Sequence, residues 1–325
     1  MTTPVVICDD SSFARKQIAR ALPSDWKVSI TYAASGREGI EAIRQGMGDV
    51  LFLDLTMPDM DGFDVLEFIR NNNLPALPIV ISGDIQEESQ RRVKQLGAVA
   101  FIKKPVNPAE LVEVLQGYGV LELLNAEPAA QLEEVDFYDW CQEIANVAMG
   151  RAASLLAGVI HEGVELSIPR VNLLERSELV MLLGGVGHHG VSIVSQGFIG
   201  AGLAGETLLF FDDSSVPALA RLMNYDDSAP EESELELLME VGNVLVGAFL
   251  KGISEQLDVK FSQGHPRLYL HSQAKELLQG GGAQRTLAIE LSYDIGSVPV
   301  HCDQVLLFTE TSINALQQHM EVVRL

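Results

Sequence analysis

Residues 50–62 read VLFLDLTMPDMDG, and this stretch decides the fold of the N-terminal third of the chain. Val50-Leu51-Phe52-Leu53 is an unbroken apolar run, the pattern of a strand buried on both faces. It ends at Asp54, and Met57-Pro58 followed by Asp61-Gly62 marks a turn before the next amphipathic segment. The same alternation continues outward in both directions. Val5-Val6-Ile7, Val28-Ser29-Ile30, Ile79-Val80-Ile81 and Ala100-Phe101-Ile102 read as further short strands. Between them, residues 35–47 and 63–71 carry apolar side chains at helical spacing, Ile40 with Ile43 and Val65, Leu66 with Ile69. Buried strands alternating with helices predict an α/β unit whose parallel five-stranded sheet is covered on both faces. In such sheets ligands gather at the carboxyl ends of the strands.

The chemistry-bearing residues fall at those ends. Strand one runs into Asp9-Asp10, strand three into Asp54, strand four into Ser82, and strand five into Lys104 before Pro105. Converging carboxylates repel one another unless a counter-charge relieves them. A hard divalent cation does so, and Mg²⁺ suits carboxylate oxygens together with water and phosphate. A lysine supplies a point charge for a phosphoryl oxygen, a serine hydroxyl a hydrogen bond, and Asp54 a nucleophile that forms an aspartyl phosphate.

This constellation, with the Met57-Pro58 and Asp61-Gly62 turn, resembles the response-regulator receiver family over residues 3–122. The resemblance implies a flavodoxin-like, doubly wound fold and a histidine kinase as phosphodonor. It also implies phosphorylation at Asp54, and Mg²⁺ held by the Asp9, Asp10 and Asp54 cluster with the Thr56 backbone carbonyl. Ser82 and Phe101 would be the switch pair. The family often has tyrosine where Phe101 stands; the ring is kept here and the hydroxyl's hydrogen bond is lost. Receivers often pair, so a homodimer is among the partners the resemblance admits.

Charge is unevenly spread. The 325-residue chain has a net charge of −23; residues 1–122 hold 12 basic and 17 acidic side chains and residues 123–325 hold 10 and 28, net −5 and −18. So acidic a second half repels phosphate backbones and argues against nucleic acid as a partner. Cys8, Cys141 and Cys302 stand far apart in apolar stretches and read as core residues rather than a disulfide or zinc framework. His188-His189, adjacent on a strand, would face opposite sides, a poor metal clamp. No basic apolar leader precedes the first strand and no apolar run approaches the roughly 18 residues of a membrane span, so a soluble, cytoplasmic protein without membrane contact is expected.

Residues 123–134, LLNAEPAAQLEE, read as a linker that spans at most about 40 Å when extended. Beyond it, residues 135–325 repeat internally with an offset of 97. Glu143-Ile-Ala-Asn146-Val falls on Glu240-Val-Gly-Asn243-Val, Gly150 on Gly247, Pro169 on Pro266, and Leu208-Leu209-Phe210-Phe211 on Val305-Leu306-Leu307-Phe308. An α+β domain with a pseudo-twofold repeat is the economical reading. Each half opens on a helix with a polar stripe: Asp139, Glu143 and Asn146 in the first, Glu236, Glu240 and Asn243 in the second. Spacings of i, i+4 and i+7 put each trio on one helix face, with Ile144, Val147 and Ala148 turned toward the core. Acids commonly occupy such solvated faces. A duplicated ExxN followed 23 residues later by proline is harder to attribute to solvation.

The duplicated pattern resembles the CheC/CheX/FliY phosphatases. Asp139, Glu143, Asn146 and Pro169 match fully; the second copy departs by having Glu236 at its leading position. The resemblance implies hydrolysis of a receiver's aspartyl phosphate, on another receiver or on Asp54. Asn146 and Asn243 would orient the attacking water, and Glu143 and Glu240 would pair with a receiver lysine. The alternative is a non-catalytic module that binds phosphorylated receivers or scaffolds a complex.

Overall fold

The computed structural model describes residues 2–118, 120, 136–175, 178–179, 190–223, 231–269, 285–295 and 300–324. The proposed linker and His188-His189 lie outside them. The chain divides into two compact units, Met1–Glu143 and Ile144–Leu325.

In the first unit, strands β1 (Thr3–Cys8), β2 (Val28–Ala33), β3 (Val50–Leu53), β4 (Leu77–Ser82) and β5 (Ala100–Lys103) form a parallel sheet of order β2-β1-β3-β4-β5. Helices α1 (Ser12–Ala21), α2 (Gly36–Arg44), α3 (Gly62–Asn71), α4 (Glu87–Gln95) and α5 (Pro108–Gly117) alternate with them. Side chains of period two sort the apolar runs onto two cores. Val6, Cys8, Leu51, Leu53 and Val80 pack with Ile40 and Ile43 of α2 and Val65, Leu66 and Ile69 of α3. Val5, Ile7, Val50, Phe52, Ile79 and Ile81 pack with Ile18 of α1 and Leu111 and Leu115 of α5. The predicted doubly wound sheet is therefore present, and its unbroken apolar strands are explained by two covered faces.

Helix starts follow capping chemistry. Ser11 Oγ accepts from Ala14 N–H, Ser35 caps α2, Asp61 caps α3, and Asn107 caps α5 ahead of Pro108. Gly62, at the start of α3, has no room for a side chain. A Cβ there would lie 2.2 Å from the Asp54 carbonyl oxygen and 2.8 Å from Leu55 Cα. Both are backbone atoms, so they cannot swing aside. Gly62→Ala is expected to lower stability by about 1–3 kcal/mol. Urea unfolding followed at the buried Trp26 measures it.

Among the described residues, the second unit is built on an eight-stranded antiparallel sheet. Its strands are β6 (Val164–Leu166), β7 (Arg170–Glu175), β8 (Val191–Gly200), β9 (Leu203–Asp212), β10 (Ser262–Gln263), β11 (Arg267–Tyr269), β12 (Arg285–Ile295) and β13 (Val300–Phe308). The path runs β10-β8-β9-β13-β12-β6, with β11 beside β8 and β7 beside β12. The repeat seen in the sequence is written into this register. At the centre, Leu208 of β9 pairs with Val305 of β13, residues whose numbers differ by the repeat offset (305 − 208 = 97). Outward from that pair, β8 corresponds to β12 and β11 to β7.

Helices α6 (Phe137–Ile160) and α8 (Glu231–Leu257) open the two halves, and α7 (Val216–Leu222) and α9 (Glu310–Arg324) follow the central strands. α6 and α8 touch: a Cβ on Gly252 would lie 2.7 Å from Ala148 Cα, and Gln256 Nε2 donates to Ile144 O at 3.0 Å. Gly242 of α8 lies against Val194 and Leu209 of the sheet. Cys8, Cys141 and Cys302 are free and buried, as their apolar surroundings predicted.

One sequence expectation needs correction. Windows within 137–160 and 235–257 are long and apolar enough, by length and composition, to cross a membrane, although no unbroken apolar run suggested it. Counting unbroken runs missed them because isolated polar residues punctuate each helix. They are 67% and 61% buried within the protein, the character of core helices enclosed on several sides.

Candidate functional site

The carboxyl ends of β1, β3 and β5 bring four of the predicted residues together. Asp9, Asp10 and Asp54 each offer an oxygen within 4.8 Å of the others. Lys104 Nζ lies 2.8 Å from Asp9 Oδ2 and 3.3 Å from Asp54 Oδ1. Asp9 and Asp54 are fully buried, Lys104 nearly so, and Asp10 half-buried. Lys104 precedes Pro105 across a cis bond, and its backbone N–H donates to Ser82 O at 2.9 Å. Thr56 N–H donates to Asp54 Oδ2 at 3.3 Å, and Ser82 Oγ accepts from Asp84 N–H. Phe101 is half-buried and packs against the core cluster that includes Val80 and Val93.

A fifth charged residue enters this cluster from α6. Its first two turns belong to the first unit, and Glu143 Oε1 lies 3.0 Å from Lys104 Nζ. One ammonium thus faces the carboxylates of Asp9, Asp54 and Glu143, with Asp10 beside them. Lys104 Nζ attracts Asp9 Oδ2, Asp54 Oδ1 and Glu143 Oε1 at contact distance, while the three carboxylates repel one another. None of the four makes a well-directed hydrogen bond.

The electrostatic consequences follow. Burial pushes the Asp54 carboxyl well above its usual range, against the pull of Lys104. Burial, then the charge of Asp9, raises Asp10 to about 6. Burial raises Glu143 to about 7, with Lys104 opposing. For Lys104, burial favours the neutral amine, but Asp54, Asp9 and Glu143 together outweigh it and hold the proton on nitrogen. A buried acidic cluster short of positive charge and of directed donors suits a divalent cation with oxygen ligands.

Residues 5–116 match the family model described as Response regulator receiver domain. The chemotaxis protein CheY of Treponema pallidum is 35% identical over 112 residues, which cover 34% of this chain and 77% of that protein. The chain belongs to the response regulator receiver family. A protein-glutamate methylesterase/protein-glutamine glutaminase of Geobacter sulfurreducens is 35% identical over 158 residues, 46% of this chain. The match spans only 40% of that relative's length. A crystal structure of Thermotoga maritima FliY aligns with 58% of this chain and 98% of its own at 18% identity and a TM-score of 0.45.

In the receiver, the predicted acids and lysine converge. The two polar stripes differ from each other. Glu143 is 3% exposed and Asn146 7% exposed, so this part of the first stripe is enclosed rather than a solvated face. Asp139 is half-buried; Glu236, Glu240 and Asn243 are exposed. Pro169 is buried and Pro266 half-buried. The structure also adds residues that the sequence reading passed over. Ser12 and Phe13 of the receiver contact Asp139, and Gln142 Nε2 lies 3.4 Å from Asp10 Oδ2. Gln196 Nε2 stands 3.5 Å from Asn243 Oδ1 and donates to Gly264 O at 2.9 Å. Ser12 directly follows the Asp-Asp-Ser run, a position that could have drawn notice. Gln142 and Gln196 carry no motif, and their roles depend on neighbours distant in sequence.

Proposed function

We propose that this chain is a response regulator phosphorylated on Asp54, with a receiver over residues 1–122, a linker over 123–134 and an aspartyl-phosphate phosphatase over 135–325. The observation that carries this reading is the Glu143–Lys104 pair: the glutamate of a duplicated ExxN stripe meets the lysine at the phosphoacceptor. The phosphodonor is a histidine kinase, the substrate a phosphorylated receiver, and the setting cytoplasmic.

In the forward step an Asp54 carboxylate oxygen attacks the donor's phosphorus. The donor's bond to phosphorus breaks, and a mixed anhydride forms. Asp9, Asp10 and Asp54, with the Thr56 carbonyl, would hold Mg²⁺, which neutralises phosphoryl oxygen charge when bound. Lys104 balances the remaining negative charge, and Ser82 offers a hydroxyl. In the erasing step the carboxamide oxygen of Asn146 or Asn243 accepts a hydrogen bond from a water and orients it in line with the anhydride. Water oxygen bonds to phosphorus, the bond to the aspartyl oxygen breaks, and inorganic phosphate and the carboxylate are released. A carboxylate is a good leaving group, so positioning suffices without a general base. Glu143 and Glu240 set the register of their asparagines by pairing with the receiver lysine.

The second reading is docking without turnover, favoured by the burial of Asn146. The two are separated by adding the Asp54→Asn chain, which cannot take phosphate itself, to a phosphorylated receiver. Catalysis predicts that substoichiometric amounts shorten the lifetime of the label. Docking alone predicts stoichiometric binding with an unchanged or longer lifetime, and that result would remove the phosphatase assignment.

A further inference from the structure

The leading residue of the first stripe has a defined seat on the receiver. The Asp139 carboxylate accepts from Ser12 N–H at 3.2 Å and Ser12 Oγ–H at 2.5 Å, and its second contact with the backbone is Phe13 N–H at 2.8 Å. These N–H groups belong to the first turn of α1, where no intrahelical acceptor exists. The receiver's own cap, Ser11 Oγ, accepts from Ala14 N–H. Ser12 and Phe13 are thus satisfied by Asp139, and the helix dipole favours a negative charge there.

We propose that Asp139 is a positioning residue and Ser12 its receiver-side counterpart, so that the residue after the acidic pair and its serine selects which receivers the first stripe engages. The inference rests on the phosphatase reading. Asp139 touches α1 and none of the reacting atoms. With Glu143 one turn later on Lys104 and Gln142 beside Asp10, three contacts fix both the height and the rotation of the helix. A single ion pair would leave the helix free to roll about its axis. Receivers with a hydroxyl at the Ser12 position suit the first stripe. In the second stripe Glu236 is one methylene longer, so it reaches the same seat only with the helix held farther away.

Two measurements on the full-length chain test this. The first is residue-resolved amide exchange at Ser12 and Phe13 without phosphorylation. Asp139→Asn, which keeps the shape and removes the charge, is expected to speed exchange at both amides about tenfold. The second is first-order phosphate loss from Asp54. Ser12→Ala is expected to slow it about fivefold and Asp139→Asn about tenfold. The double variant should be no more than about twofold slower than Asp139→Asn alone, because the two changes break one contact. Ser12→Thr, which keeps the hydroxyl, should restore the wild-type rate, a rescue that a mere packing role does not provide.

Unchanged exchange at both amides overturns the seat. Faster exchange with unaltered phosphate loss overturns the positioning role, and so do single effects that multiply in the double variant. Phosphate loss indifferent to Asn146→Ala and Asn243→Ala removes the phosphatase reading instead, while the exchange result still decides the seat.

Discussion

The Asp54→Asn chain is expected to take up no acid-labile phosphate from acetyl phosphate in the presence of Mg²⁺, whereas the wild type should, and chelating the metal should bring the wild type to the same null result. A carboxamide cannot form the mixed anhydride. Asp54 is also a member of the acidic cluster, within 4.8 Å of Asp9 and Asp10 oxygens and 3.3 Å from Lys104. On the proposed reading, removing it would take away both the nucleophile and a cation ligand. Stability should move the other way. Burial raises the Asp54 carboxyl well above its ordinary range, so the folded state holds that proton more tightly than the unfolded chain does. Its contribution is fully present below the unfolded carboxylate pKa and is lost as pH rises through the folded value. At neutral pH and without metal, Asp54→Asn removes this ionisation cost, and the thermal midpoint is expected to hold or rise. A variant that still takes up label, with the adduct surviving denaturation, would place the phosphoacceptor elsewhere.

Asn146→Ala combined with Asn243→Ala is expected to abolish accelerated phosphate loss, a fall of about 10²-fold or more on the scale of removing one oriented hydrogen-bonding group from an active site. The glutamates remain, so on the proposed reading docking should survive and only the orientation of water should be lost. Single variants divide the work between the two stripes. Asn243 is exposed, so its replacement should change stability by no more than about 0.5 kcal/mol. Asn146 is 7% exposed, and losing its amide from an enclosed place is expected to cost about 1 kcal/mol. Thermal midpoints taken alongside the kinetics keep the two effects apart. A double variant that erases label at the wild-type rate removes the amides from the mechanism.

Glu143 and Asn146 show where local pattern stops. Their spacing on a helix was legible, and so was their correspondence to Glu240 and Asn243, because helical period and repetition are properties of neighbouring residues. That one stripe is enclosed while the other is exposed was not legible, because exposure depends on what the rest of the chain brings against each face. Ser12 is a similar case. Nothing beside it in sequence reveals that its acceptor lies 127 positions away.

The sequence by itself determined the alternating strands and helices, the charged residues at the strand ends, and a second half repeated at a fixed offset of 97. Each follows from periodicity or identity along the chain, which short-range sterics and burial impose. Only the tertiary structure decided the antiparallel order of the second sheet, the pairing of Leu208 with Val305 at its centre, and that the receiver lysine expected to meet Glu143 is this chain's own Lys104. Those are contacts between distant segments, selected by the packing and charge balance of the whole fold.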